Sequence, residues 1–507
     1  MQLPIVSPAP IVIAHTPVFY TLFENENQVA HFQNYITGLI VLPNKSLSNI
    51  ARCTLDSADK TNLSRYFSGS PWEHKAIDER RIKYMVAQTE RQRLSAKRSF
   101  VSIDDTLCEH VGNLFEYVDR HYDHGEGDYP LAHNLVTSHY VSGLVRFPLE
   151  FRLYRRYEEA TQWEEFVGKH FPDREIPTTK KERQRFHKEV DEELLKDPEF
   201  AALYEKFRTK IALAKELVKA AIEQEVPFSV VLMDSWYLCE EIVDYLRESE
   251  INWVSLLKKN RNLEVASFTL RDEEGKVIAL KGPHIQVQNL VPLIPKSAYR
   301  KVEADGKDYY CFAINVRVPG LGSVRLVISY DNAELKGTYA VLLTDRTDWS
   351  AKQVIETYVQ RWPIETFYQD SKGHLGLDEY RMRTAEAIQK HWCLVFVAYS
   401  ILHLDCLSAS LDKAQSKDNR RDSDRDRNSG RKQGSSSNSS ELPRLKKTIG
   451  EVCREQSQLL IQALILRAHE LLVKGQQVEE VFRKLFAKQA ISTKTGYDRP
   501  RAIRASG

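Results

Sequence analysis

The chain has 507 residues, 42% of them hydrophobic and 28% charged, and its 72 Lys and Arg against 70 Asp and Glu leave a net charge of +2. This is the make-up of a globular chain with a large core and about two to four domains. So small a net charge excludes bulk electrostatics as a source of nucleic-acid affinity, which must come from local patches.

The seven cysteines are odd in number and show no CxxC spacing. That excludes a disulfide framework and a structural zinc site and fits a reducing compartment. The apolar start carries three prolines and no basic n-region, so no signal peptide is expected. No uninterrupted apolar run approaches the length of a membrane span. The expectation is a cytoplasmic protein without membrane attachment.

Residues 1–97 are expected to be helical. Asn34–Leu42, Ser46–Arg52 and Thr61–Phe67 carry apolar stripes, and the Asp-rich break at 56–59 suits a helix-turn-helix-like module. Between 40 and 98, twelve Lys or Arg stand against six Asp or Glu, a net of +6. Most of it comes from Arg80, Arg81, Lys83, Arg91, Arg93, Lys97 and Arg98, a plausible phosphate-contacting surface or else a set of solvated helix faces.

Ser99–Ile103 reads as a short buried strand, ending in Asp104-Asp105-Thr106. His110, His121, His124, His133 and His139 follow closely, but their spacings form no paired-ligand pattern, so they predict a polar loop. Leu131–Val141 and Leu149–Tyr154 read as strands. Residues 157–225 read as long solvated helices outside the sheet. Phe228–Met233 is the strongest strand signal, and it stops at Asp234. A helix over Cys239–Glu248 and a strand over Asn252–Leu257 complete a βαβ unit with an acid at the strand end, where ligands gather in α/β folds.

From about Val265 to Val341 the pattern is strands only: Lys276–Leu280, Ile285–Val291, Tyr309–Val318 and Ser323–Tyr330, separated by Glu-Gly, Asp-Gly and Pro-Gly turns. Tyr339–Leu343 leads back towards Tyr358. There Tyr358, Arg361, Glu365 and Lys372 stand at offsets 0, 3, 7 and 14, on one side of a helix at about 100° per residue. Pro363 places the start of that helix near Arg361 or Trp362, with Tyr358 in the lead-in turn or on a preceding helical segment. One acid flanked by cations and a phenol suits a carboxylate that holds a metal beside phosphate. A helix with the stripe Trp392–Leu402 follows. Residues 409–443 are polar and low in complexity, which predicts a disordered linker. Residues 444–490 read as helical, serving to cap the core or to self-associate.

Tyr-x2-Arg-x3-Glu-x6-Lys, followed by Leu375-Gly-Leu-Asp-Glu-Tyr380, resembles the Tyr-Arg-Glu-Lys signature of bacterial insertion-sequence DDE transposases. The resemblance implies an α/β, ribonuclease H-like mixed sheet with flanking helices over 98–262 and 339–405. It also implies a β-rich insertion over 263–338 and a helical terminus-binding region before the core. Asp104 (with Asp105 as alternative), Asp234 and Glu365 become catalytic acids and ligands of two Mg²⁺ or Mn²⁺ ions, and Tyr358, Arg361 and Lys372 become grips on DNA phosphates. The implied partners are double-stranded DNA, as element ends and target, and a second copy of the chain on that DNA. Two alternatives stay open: a transposase-derived DNA-binding protein that no longer cuts, and a hydrolytic nuclease on the same core.

Overall fold

β1 runs from Phe100 to Glu109, twice the length its apolar stretch predicts. In this computed structural model, which describes residues 3–55, 60–123, 125–425 and 445–486, the reason is its neighbour. β3 (Leu131–Ser142), preceded by the short β2 (Asp119–Arg120), pairs antiparallel with all of β1, from Phe100 opposite Val141 to Glu109 opposite Ala132. The polar tail of β1 is therefore held by backbone hydrogen bonds, not by its side chains. Asp104 and Asp105 lie within the strand, not past its end. β4 (Val145–Tyr154) folds back on β3.

β5 (Val230–Met233) pairs in parallel with β1, but only from Phe100 to Ser102. Beyond Ser102 that side of β1 has no strand partner. β6 (Asn252–Leu256) pairs in parallel with β5. β7 (Asn262–Glu264) and β8 (His284–Gln286) form a separate two-stranded sheet. β9 (Arg300–Ala304), β10 (Lys307–Val318), β11 (Gly322–Tyr330) and β12 (Tyr339–Thr344) are successive antiparallel neighbours.

β12 pairs with β6, so these last four strands continue the main sheet, whose order is β2-β3-β1-β5-β6-β12-β11-β10-β9 with β4 on β3. The strands-only stretch thus extends the core sheet and covers the free edge of β6, which would otherwise expose unpaired N–H and C=O groups. Two of its predicted strands differ. Lys276–Leu280 contributes only an isolated bridge between Val277 and Arg271, and Ile285–Val291 turns from β8 into the helix Val287–Leu290. The whole is the mixed sheet with flanking helices expected of a ribonuclease H-like fold.

The sheet separates two cores. On one face Val101, Ile103, Val231 and Met233 pack with Leu213, Leu217 and Val218 of the Lys210–Glu223 helix and Ile242 and Leu246 of the Glu240–Glu248 helix. On the other, Phe100, Leu232 and Val254 pack with Val354 and Ile355 of the Ala351–Tyr358 helix. The helices between Tyr157 and Lys206 are not merely solvated. Trp163, Phe166, Val167, Phe186, Val190, Leu194 and Phe200 bury one another in a satellite core, and His187 stacks on Trp163 with ring centroids 3.9 Å apart.

These elements make up one compact unit, Asp78–Asp370 with His403–Lys447. The second comprises Met1–Ile77, Ser371–Leu402 and Thr448–Gly507, as far as described, and its described elements are helical. Its stripe at Asn34–Leu42 belongs to the longer helix Glu26–Val41, which Asn25 caps by accepting from the Gln28 amide. The Asp-rich break at 56–59 lies outside the described residues.

In that unit His391 accepts from the Tyr35 hydroxyl at 2.8 Å and faces the Gly376 carbonyl at 3.0 Å. A carbonyl can only accept, so the proton sits on Nε2 of a neutral ring, and burial lowers its pKa to about 4. The helix Ala385–Arg425 continues through 409–425, part of the stretch predicted to be disordered, because no Gly or Pro interrupts it. Residues 426–444 lie outside the described residues. Its segment Ala385–Ser410 is, against expectation, long and apolar enough to cross a bilayer, and 83% of its most apolar window is buried within the protein, which accounts for that composition.

The basic run at 80–98 also divides. Arg81 is 1% exposed, pairs with Asp78 at 2.7 Å, and donates to the carbonyls of Pro148 and Leu149. It fastens a helix to β4 and faces no solvent phosphate. Arg81→Met should take from the buried Asp78 its Arg81 ion pair and from β4 its tie to the helix, and cost about 3–5 kcal/mol, seen as a lower denaturant midpoint. Lys83→Met, on the same helix, should cost under about 0.5 kcal/mol.

Candidate active site

Pleat alternation puts the paired aspartates on opposite faces of β1. Asp104 falls on the same face of β1 as Phe100 and Ser102, under the Ala351–Tyr358 helix; Asp105 falls with Val101 and Ile103 on the other. Their partners agree. Asp104 accepts from Arg361 at 2.6 Å and from the Asp105 amide at 2.9 Å. Asp105 accepts from Lys210 at 2.8 Å and from the Tyr237 hydroxyl at 2.9 Å.

Asp234 follows β5 directly. Ser102 opposite Leu232 is the last pair of β1 and β5, and two residues further along each chain Asp104 and Asp234 are near enough for Asp234 to help raise the Asp104 carboxyl. Asp234 also caps the turn behind it, accepting from the amides of Trp236 at 2.8 Å and Tyr237 at 3.3 Å. The helix that follows begins only at Glu240.

The Tyr358-to-Lys372 stretch is not one helix. Ala351–Tyr358, started by a Ser350–Gln353 capping box, gives way to a 3₁₀ turn at Val359–Arg361, and a new helix runs from Pro363 to Leu375. Proline in the first position forces this restart, since it supplies no N–H to an earlier turn. Arg361, in the tight turn, reaches Asp104 with one arm and Glu365 with the other. The guanidinium lies 5.9 Å from the centre of the Tyr358 ring, whose hydroxyl is buried and makes no hydrogen bond of good geometry among the described residues. Lys372 is carried on the Pro363–Leu375 helix, seven residues past Glu365, within the second compact unit.

The electrostatics are those of crowded acids with one cation. Burial pushes the Asp104 carboxyl up to about 7; Arg361 opposes this, while Asp105 and Asp234 reinforce it. Burial likewise raises Tyr358 to about 12. Among the described residues, no three His, Cys, Asp or Glu side chains gather closely enough to hold one ion. Arg361 takes up the oxygens that would face it.

Two family models match the chain. The DDE superfamily endonuclease model spans residues 18–273, about half of the chain, and takes in Asp104 and Asp234. The chain belongs to this family. A transposase DDE domain model spans 208–401 and takes in Asp234 and Glu365. No curated protein matches the chain. A DDE endonuclease acts on DNA as a nuclease or transposase.

Sequence reasoning on this DDE endonuclease missed the second polar group, Asp105 with Lys210 and Tyr237. Lys210 is 105 residues from Asp105, and nothing in its local sequence marks it. The alternation of faces marks Asp105 once β1 is known to continue. Also unassigned were Trp362, 65% exposed between Arg361 and Pro363, and Trp236, exposed beside Asp234.

An acid whose folded pKa is raised stabilises the fold at low pH, and that stability is lost as pH rises from its unfolded value, near 4, through about 7. Asp104→Asn should therefore raise the thermal midpoint at pH 8 in chelating buffer and leave it unchanged at pH 4. Equal midpoints at both pH values would show that Asp104 carries no strain of charge.

Proposed function

We propose that this DDE endonuclease is a transposase that cuts DNA at the ends of an insertion sequence and joins those ends to target DNA. The observation that supports it most is the ion-pair chain Asp104–Arg361–Glu365, with Asp234 near Asp104. Two acids 261 residues apart in sequence meet at one guanidinium.

Asp104, Asp234 and Glu365 would hold two Mg²⁺ or Mn²⁺ ions. Their carboxylate oxygens are hard donors suited to such ions, and Asp104, raised to about 7 with Arg361 already beside it, is a carboxyl short of positive charge. When bound, such ions supply Lewis acidity and a water of lowered pKa.

The chain's own groups do the remaining work. Arg361 presents a planar fork that fits a phosphodiester as well as a carboxylate, so arriving DNA can draw it off Asp104 and Glu365 and free those oxygens. The Tyr358 hydroxyl, protonated at neutral pH, donates to a phosphate oxygen. Lys372 adds a point charge further along the helix. Asp105 is held by Lys210 and Tyr237 on the other face and serves to fix the strand. Two copies of the chain on DNA would bring two ends together.

The family's description as an endonuclease favours one further reading, a nuclease that cuts without joining. Incubating the protein with terminal-repeat DNA and Mg²⁺ separates the two: joined products support the transposase, and cut ends alone support the nuclease. A mobility shift with neither product would leave only a DNA-binding protein. Glu365→Gln should lower cleavage on the order of 10⁴-fold while DNA still binds. Cleavage by Glu365→Gln at the wild-type rate would remove Glu365 from the site.

A further inference from the structure

At the opposite end of β1 from the polar tail, a cavity of about 900 Å³ opens beside Phe100, four residues and about 13 Å before Asp104. Its floor is the turn between β3 and β4. One wall is the segment Arg91–Arg98, and the other runs from Arg346 beyond β12 to Gln360. All of it lies in the unit that carries the sheet.

The wall charges differ from the rest of the surface. Arg91, Lys97 and Arg98 are exposed and form no ion pair among the described residues. Of the other lining charges, Arg346 pairs with Asp348 at 2.7 Å and Glu356 with Lys352 at 3.6 Å, and Asp305 adds one carboxylate against the three cations. Arg346 lies over the Trp349 ring at 5.1 Å, and with its two bonds to Asp348 it is held as a flat plate.

We propose that this cleft binds single-stranded DNA. Three unpaired cations on one wall suit a run of phosphates, and a fixed guanidinium–indole stack opposite suits the flat face of a base. The volume takes a few nucleotides. The strand would be the one exposed when an element end is cut, seated behind the Ala351–Tyr358 helix and away from the acids. The inference rests on the transposase reading for the origin of that strand, and its binding test does not.

The test is fluorescence anisotropy on the full chain, in chelating buffer, with labelled oligo(dT) of about 12 nucleotides. Replacing Arg91, Lys97 and Arg98 together by Ala should weaken binding at least tenfold. It should also flatten the slope of log affinity against log salt by about 2, while duplex of unrelated sequence binds as before. Lys97→Glu alone, at an exposed position that folding does not need, should give a smaller loss in the same direction. Unchanged affinity and slope overturn the proposal, and so does an equal loss on duplex. If wild-type protein cuts nothing yet holds oligo(dT) through these residues, the cleft stands and the transposase reading falls. If it cuts and joins while the triple variant binds oligo(dT) normally, the reverse holds.

Discussion

One guanidinium holds the centre of this protein together. Asp104 and Glu365 are brought close by a sheet and a helix that gain nothing from the meeting, and Arg361 touches both of them. Burial raises Asp104 to about 7 even so, which means that the fold tolerates a charge imbalance it could avoid with an amide or an alanine. Such an imbalance persists because the surroundings are over-determined: β1 is fixed by ten pairings with β3, and the restart at Pro363 fixes the approach of the helix.

The same sheet explains why the two aspartates differ. Neighbouring residues of a strand face opposite ways, so Asp104 and Asp105 enter different environments although they are adjacent. One meets Arg361; the other is saturated by Lys210 and Tyr237. A slip of one residue between β1 and β3 would exchange them and send Ile103 towards the polar side. The long antiparallel pairing is what prevents it.

How much of this was legible in the sequence depends on the range of the interaction. Phe228–Met233 with Asp234 behind it, and Pro363 at a helix start, were readable because strand ends and first turns leave local marks. The extent of β1 was not, since its second half is polar and is held by a partner 30 residues on. The joining of β12 to β6 was not either, because pairing is a matter of edges, and edges have no signature in one strand. Residues 409–425 are helical despite a composition that suggests disorder, since a helix already formed over a buried stripe extends cheaply through residues that merely fail to oppose it. At the candidate site, spacing pointed to the acids and to Arg361. The ion pair between Arg361 and Asp104, across 257 residues, became visible only in three dimensions.

The distances along the chain carry one more implication. Ribosomes add about 5–20 residues per second, so Glu365 emerges many seconds after Asp104, and until β12 is made the edge of β6 stays bare. A growing chain therefore has Asp104 and Asp234 well before it has Glu365, and a product that ends before Arg361 leaves the Asp104 carboxyl without its guanidinium.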